Sequence, residues 1–407
     1  MVTNTTSIVS RNLRALYIVK VSKWLNLVMP VIVLFYISNG LTMQDIFTLK
    51  AIYSVALMCL EIPAGYFADV SGRRNSLLVG SILGFGGYLI YTGMDGFWSF
   101  VLAEIVLGAG MSLVSGADSA MLYDTLSSAG KGDRFTRYEG RITSFGNFAE
   151  AFAGIAGGIL AASSLILPFY FQAGVSFLAI PASLALIEPP IGRVSRKPAA
   201  GEVFAIIKLV MHSDRRLFWN TIFSSVTGVS TLTMAWFAQP WMIAAKLPVT
   251  LFGIAWAVLN LTAGILSMQA WKITRLLGTK ATTISFTTVM LFCWFGLAAS
   301  AYWLAGGDKI VVVGSGAVML LLFYSGRGVA TPTLRNAIHM ITDSEIRATV
   351  LSIRNVLIRG SFAVLGPLFG LLTDQFSLSV ALGLAGFLFG VSGIVSLYFF
   401  LKNNPCE

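Results

Sequence analysis

The chain is poor in charge. Of its 407 residues, 11% are Asp, Glu, Lys or Arg and 56% are hydrophobic, whereas a water-soluble domain carries about 25% charged residues. So little polar surface could not coat a soluble globule of this length. Histidine is scarcer still, with only His212 and His339, and there are three cysteines. Cys59 and Cys293 lie within apolar runs and Cys406 lies in the C-terminal tail, which excludes a disulfide framework and any metal-ligand spacing. There is no nucleotide-binding P-loop and no nucleophile motif, so the common enzyme classes have no foothold. Neither a metal nor a cofactor is expected.

What the chain does have is long apolar runs. A membrane span needs roughly 20 mostly apolar residues. Twelve stretches qualify: 14–38, 46–68, 76–94, 97–124, 141–162, 166–187, 217–244, 249–271, 281–304, 309–335, 347–373 and 376–401. A helix satisfies its own backbone hydrogen bonds in lipid, so an all-α membrane protein is expected. The opening MVTNTTSIVSRNLR lacks the apolar core and small-residue cleavage site of a signal peptide and is expected to be retained.

A net charge of +10 could indicate nucleic acid, but the basic residues alternate loop by loop. Twenty of the 28 fall on one predicted side, only Lys50, Lys246 and Lys309 fall on the other, and five lie inside spans. That alternation is the positive-inside pattern. It places both termini in the cytoplasm and the chain in the cytoplasmic (inner) membrane, with lipid rather than nucleic acid as its surroundings. A monomer is expected.

The longest interruption, 188–216, opens on Pro189-Pro190 and is basic at both ends. It separates a six-span bundle at 1–188 from another at 217–407. The stretch 189–216 reads as a cytoplasmic linker, and Glu202 to Met211 could form a short helix on the inner surface. Weak echoes relate the halves. SGADSAMLYD (115–124) resembles SGRGVATPTL (325–334), EGRIT (139–143) resembles EIRAT (345–349), and the loop containing Gly72 has a degraded copy containing Gly278. Three matches in the same order predict a duplicated six-plus-six architecture with pseudo-two-fold symmetry.

Between spans 2 and 3 the chain reads GYFADVSGRR. With twelve spans and a central loop, this resembles the signature loop of the major facilitator superfamily, Gly-x-x-x-Asp-x-x-Gly-Arg-Arg/Lys. Gly65, Asp69, Gly72, Arg73 and Arg74 match it at the family spacing. The resemblance implies a transporter working by alternating access and gated at this loop. It places Asp69 opposite the N-terminus of span 11, which carries partial positive charge. It also makes Asp124 the acid that pairs with Arg73. Gly72 permits the tight turn. The alternative is that the arginines only obey the positive-inside rule.

Ionisable groups inside spans are costly and so mark function by default. They are Lys20, Lys23, Glu61, Glu104, Asp118, Glu150, Arg327, Arg354 and Arg359. Lys20 and Lys23 share a helix face and either snorkel to headgroups or face a cavity. Asp118 is a candidate partner for any of the arginines. Arg354 and Arg359, five apart, point about 140° from each other and do not line one pocket together. Glu61 precedes Pro63, which frees a backbone carbonyl, and reads equally as a cap or a proton group. Tyr36 and Trp236 are candidate substrate contacts, on spans that line the central cavity in the family.

Glu150 precedes Ala153-Gly154-Ile155-Ala156-Gly157-Gly158, which is partly similar to the span-5 motif of drug/proton antiporters in this family. The closing glycines match and the proline does not. Those antiporters carry an arginine in span 4, four residues before a glycine; here Glu104 stands four before Gly108. Glu104 either carries a proton itself or is a wet residue near the outer mouth. The first functional reading is therefore a proton-coupled secondary transporter exporting a small organic metabolite or drug. The second is an importer of an organic anion such as a carboxylate or siderophore, favoured by the five basic residues in spans. The third is a receptor or scaffold that does not transport.

Overall fold

The structure is a computed structural model and describes residues 2–189, 214–306, 310–342 and 346–404. The described residues form thirteen α-helices and one 3-10 turn, with no strand among them. In chain order the helices are α1 (Val2–Trp24), α2 (Ile32–Ser38), α3 (Met43–Ser71), α4 (Arg73–Gly93), α5 (Phe97–Val114), α6 (Ala117–Ser127), α7 (Phe135–Ser163) and α8 (Leu167–Ala185). There follow α9 (Arg215–Ala244), α10 (Val249–Gly306), α11 (Ile310–Met340), α12 (Arg347–Gln375) and α13 (Leu378–Asn403). Eight helices or helix pairs are long and apolar enough to cross a membrane. α1, α7 and α9, which carry more polar residues, fall outside that set and map onto expected spans 1, 5 and 7. α10 carries spans 8 and 9, so each of the twelve expected stretches contains helix among the described residues, two of them interrupted.

The chain forms two compact units. Unit 1 is Met1–Leu41, Ile52–Arg196 and Pro248–Ala257; unit 2 is Thr42–Ala51, Lys197–Leu247 and Val258–Glu407. The division at 196/197 lies inside the expected linker. The first turns of α3 belong to unit 2, and those of α10 belong to unit 1, an exchange not visible in the sequence. The surface helix expected at 202–211 lies outside the described residues.

Three interruptions position the chemistry. The sequence predicts a continuous span at 14–38, but the helix stops at Trp24 and resumes at Ile32. Pro30 has no N–H to donate, and the side chain of Asn26 accepts from the Met29 N–H at 3.2 Å. The Leu27 N–H is taken by Gln172 Oε1 of α8 at 2.8 Å. Gly157 of α7 makes room, since a Cβ there would lie 2.0 Å from the Leu27 carbonyl oxygen. Non-helical backbone at membrane depth persists only where protein or water satisfies it, and Gln172 does so here.

Span 4, expected as one helix at 97–124, is likewise divided. α5 ends at Val114, and Gly116, with φ 85°, starts α6. The third interruption repeats. Gly72 (φ 97°, ψ 150°) separates α3 from α4, and Gly278 (φ 79°, ψ 157°) bends α10 with nearly the same backbone. Both conformations are open to glycine and strained for other residues.

The core of unit 1 packs Leu16, Leu77, Met121, Leu122, Leu126 and Ile142, drawn from α1, α4, α6 and α7. In unit 2 the aromatic side chains of Phe237, Trp294, Phe369 and Phe389 meet edge-on or tilted. Within unit 1, α10 crosses α7 closely enough that a Cβ on Gly253 would lie 2.2 Å from the Gly154 carbonyl oxygen. Small residues are what such a crossing needs in lipid, so the span-5 glycines have a packing role whatever their role in transport.

Candidate functional site

The signature loop is a charge knot in unit 1. Arg73 and Asp124 form an ion pair, and Arg73 Nη1 also donates to the Ala120 carbonyl at 2.7 Å. The first two backbone N–H groups of α4, on Arg73 and Arg74, donate to the two carboxylate oxygens of Glu188 at 3.0 and 2.9 Å. A carboxylate there satisfies orphan donors and meets the positive end of the helix dipole. Arg74 Nη2 donates to the Leu184 carbonyl at 3.0 Å. Gly65 and Asp69 are exposed, and Asp69 makes no hydrogen bond or ion pair among the described residues.

The second cluster sits where α1 ends and α6 begins. Lys20, 4% exposed, places Nζ 2.7 Å from both oxygens of Glu139 and 3.1 Å from Ser119 Oγ. Asp118 Oδ2 lies 3.9 Å from Lys20 Nζ and 3.6 Å from Lys23 Nζ. Lys23 lies in the last turn of α1 and Asp118 in the first turn of α6, so each charge opposes the dipole end it occupies. The candidate pairing of Asp118 with an arginine is corrected: its partners are lysines. The breaks turn what read as mid-span charges into helix-end charges, and two cations balance two carboxylates. Lone buried charges would be far costlier.

The third cluster surrounds Glu104 of α5, which is 2% exposed. The hydroxyls of Tyr36 and Tyr91 lie 2.8 and 2.5 Å from Glu104 Oε1, and 2.5 Å from each other. Phe35, Phe100 and Phe169 stand around them, with ring centroids 4.0 to 5.7 Å apart. The reading of Glu104 as a wet residue at the outer mouth is corrected by this burial. Three oxygens within hydrogen-bonding distance of one another need three protons to make every contact a hydrogen bond. Two phenols and an ionised carboxylate supply two.

Unit 2 differs in charge. Lys50, expected at an outer loop, is instead 6% exposed in α3, with its ammonium 5.0 Å from the centre of the Trp236 ring. α3 starts at Met43, so Lys50 lies about two turns into the helix. The cation–π contact explains the burial of both. Arg327 of α11 lies over the Tyr324 ring at 5.3 Å. Arg354 of α12 donates Nε–H to Ser224 Oγ at 2.5 Å and makes a long contact from Nη1 to Asn355 Oδ1 at 3.4 Å. Arg327, Arg354 and Arg359 are all half-buried, and no carboxylate pairs with any of them among the described residues. Such charges cost about 2.5–3.5 kcal/mol each on the insertion scale. At the end of α12, Asp374 accepts from the Met43 and Gln44 N–H groups at 3.0 and 2.7 Å, capping α3.

Glu61 is half-buried in α3 with no hydrogen bond or ion pair among the described residues, and Glu150 is half-buried in α7. No group of His, Cys, Asp or Glu able to hold a metal occurs among the described residues. Sequence reasoning missed Glu139, Glu188, Tyr91, Gln172, Ser224 and Asp374. Glu188 and Asp374 were legible in kind, as acids set just beyond the ends of apolar runs. The others depend on contacts more than ten residues away.

Comparison with known proteins is consistent with this architecture. Over 166 residues the chain is 25% identical to the quinolone resistance protein NorA of Staphylococcus aureus, in strains N315 and MW2 alike. The aligned region spans 41% of this chain and 42% of the relative, so the chain matches about two-fifths of the length of those curated relatives. Among solved structures, the nucleoside transporter NupG superposes with a TM-score of 0.75 at 13% identity, covering 99% of this chain and 99% of that one. A D-xylose-proton symporter gives 0.71 at 16% identity, covering 99% and 98%. These likenesses show the fold. The family description Major Facilitator Superfamily matches residues 23–326, and the chain belongs to that family of multi-pass membrane transporters.

Proposed function

We propose that this secondary transporter is proton-coupled and exports a small organic solute across the cytoplasmic membrane, as a monomer with both termini inside. The coupling reading is carried by Glu104. Its carboxyl sits in an aromatic enclosure with two phenols, where a carboxyl proton would give each of the three oxygen contacts a hydrogen and its loss would leave one of them without. The energy of that enclosure therefore depends on the proton, as a coupling site requires. Export is supported by the distant likeness to NorA, whose name connects that protein with quinolones. The Arg73–Asp124 pair, with Asp69, is the proposed inner gate.

The test uses purified protein in liposomes with a quinolone as probe. Wild-type protein should move the probe against its gradient when protons flow the other way. Glu104→Gln should keep counterflow exchange of the probe and lose the response to a pH gradient. Full pH-driven transport in Glu104→Gln would refute the assignment. A second reading, transport of an organic anion, is favoured by the arginines of unit 2 and is developed next.

A further inference from the structure

The two units treat buried charge in opposite ways. In unit 1 the span cations Lys20 and Lys23 and the gate arginine Arg73 each face a carboxylate. In unit 2 the sequence from 215 to 373 contains only three acids, Asp308, Asp343 and Glu345, all at predicted loops. The same stretch carries Arg327, Arg354 and Arg359 within helices.

Arg354 is the most constrained of the three. It lies roughly 10 Å along α12 from the helix start, and Ser224 of α9, fully buried, fixes its Nε. Gly228, one turn further along α9, lets α12 approach: a Cβ there would lie 2.3 Å from Ile358 Cδ1 and 3.6 Å from Arg354 Nη2. The guanidinium is thus held by one edge. Among the described residues its outer fork, Nη1 and Nη2, has only the long contact to Asn355. A planar fork with open donors, half-buried and without a counter-ion among the described residues, is matched by an oxyanion bound through two parallel hydrogen bonds.

We propose that Arg354, positioned by Ser224, binds the carboxylate or sulfonate of an amphipathic organic substrate. This deepens the transporter reading given above and rests on it, while being independent of where the proton is carried. The bound anion supplies the counter-charge that Arg354 lacks among the described residues, and the apolar part of the substrate meets the surrounding side chains. Ser224 acts as a positioning residue. Arg359, five residues on and about 140° around the helix, does not share the site.

The test is binding to purified protein, which needs no gradient. The probes are 1-naphthoate, 1-naphthalenesulfonate, neutral 1-naphthamide and cationic 1-naphthylmethylammonium, with affinity read from ligand-dependent thermal shift. The two anions should bind and the neutral and cationic analogues should bind on the order of tenfold more weakly or not at all. Arg354→Gln should weaken the anions by on the order of 10- to 100-fold. Arg354→Lys should recover part of that loss, and Ser224→Ala should weaken the anions without touching the neutral analogue. Arg359→Gln should bind like wild type. Equal affinity for cation and anion, anion affinity unchanged in Arg354→Gln, or no binding of either anion to folded wild-type protein would each overturn the proposal. Because anion binding is read without a gradient, loss of pH-driven transport in Glu104→Gln and loss of anion binding in Arg354→Gln report separately on the two assignments.

Discussion

Gln172 supplies the long-range acceptor for the Leu27 N–H in the interruption of the first span, so removing its amide is a sharp perturbation. Its Oε1 accepts from the Leu27 N–H at 2.8 Å, and the side chain is 3% exposed. Gln172→Leu keeps the bulk and removes the acceptor. The Leu27 N–H is then left unpaired away from water, which costs about 1–3 kcal/mol, or roughly 5- to 150-fold in the unfolding equilibrium at 1.4 kcal/mol per tenfold. Gly157→Ala attacks the same segment from the other side, because the new methyl would lie 2.0 Å from the Leu27 carbonyl oxygen. Both changes act through residues 25–31, so the double variant should lose less than the two single losses added together. The assay is unfolding of the detergent-purified protein, with amide exchange at Leu27 as a local readout. Leu27 should exchange faster in Gln172→Leu. A Gln172→Leu protein within about 0.5 kcal/mol of wild type, the range of an inert surface change, with Leu27 still protected, would refute the reasoning.

The two acid caps make parallel predictions. Glu188→Ala strips two donors at the start of α4 of their acceptor and should cost about 1–2 kcal/mol, visible as faster amide exchange at Arg73 and Arg74 with the rest of α4 unchanged. Asp374→Ala should do the same at Met43 and Gln44 at the start of α3, with Asp374→Asn retaining part of the protection. Normal exchange at those amides would show that the caps contribute nothing.

The helical spans were legible because lipid leaves the backbone no alternative, and an apolar run of the right length has few other readings. The turn at Gly72 and its copy at Gly278 were legible because the motif demands a positive φ that glycine alone adopts without strain. The interruptions at 25–31 and 115–116 were not. Each is apolar on average: at the first the Leu27 N–H is satisfied by the distant Gln172, and at the second the chain turns at Gly116 with φ 85°. Lys50 was counted with the outer-side cations although the span 46–68 contains it, and only packing shows that its ammonium faces the Trp236 ring. Arg73 with Asp124 could be paired from charge and motif. Asp118 could not, because opposite charges on four elements offered several pairings and only packing selects among them. Glu104 was recognisable as anomalous by its charge, yet the two phenols that give it meaning lie 13 and 68 residues away along the chain.

The central proposal is that Glu104, within its cluster of three oxygens, carries the coupling proton. Infrared difference spectroscopy of the purified protein across a pH titration reads that proton directly. Wild-type protein should show the carbonyl stretch of a protonated carboxyl, lost on alkalinisation, absent from Glu104→Gln and shifted in Tyr36→Phe when one hydrogen bond is removed. A spectrum in which no such band depends on Glu104, with the side chain a carboxylate at every pH at which the protein is folded, would contradict the account.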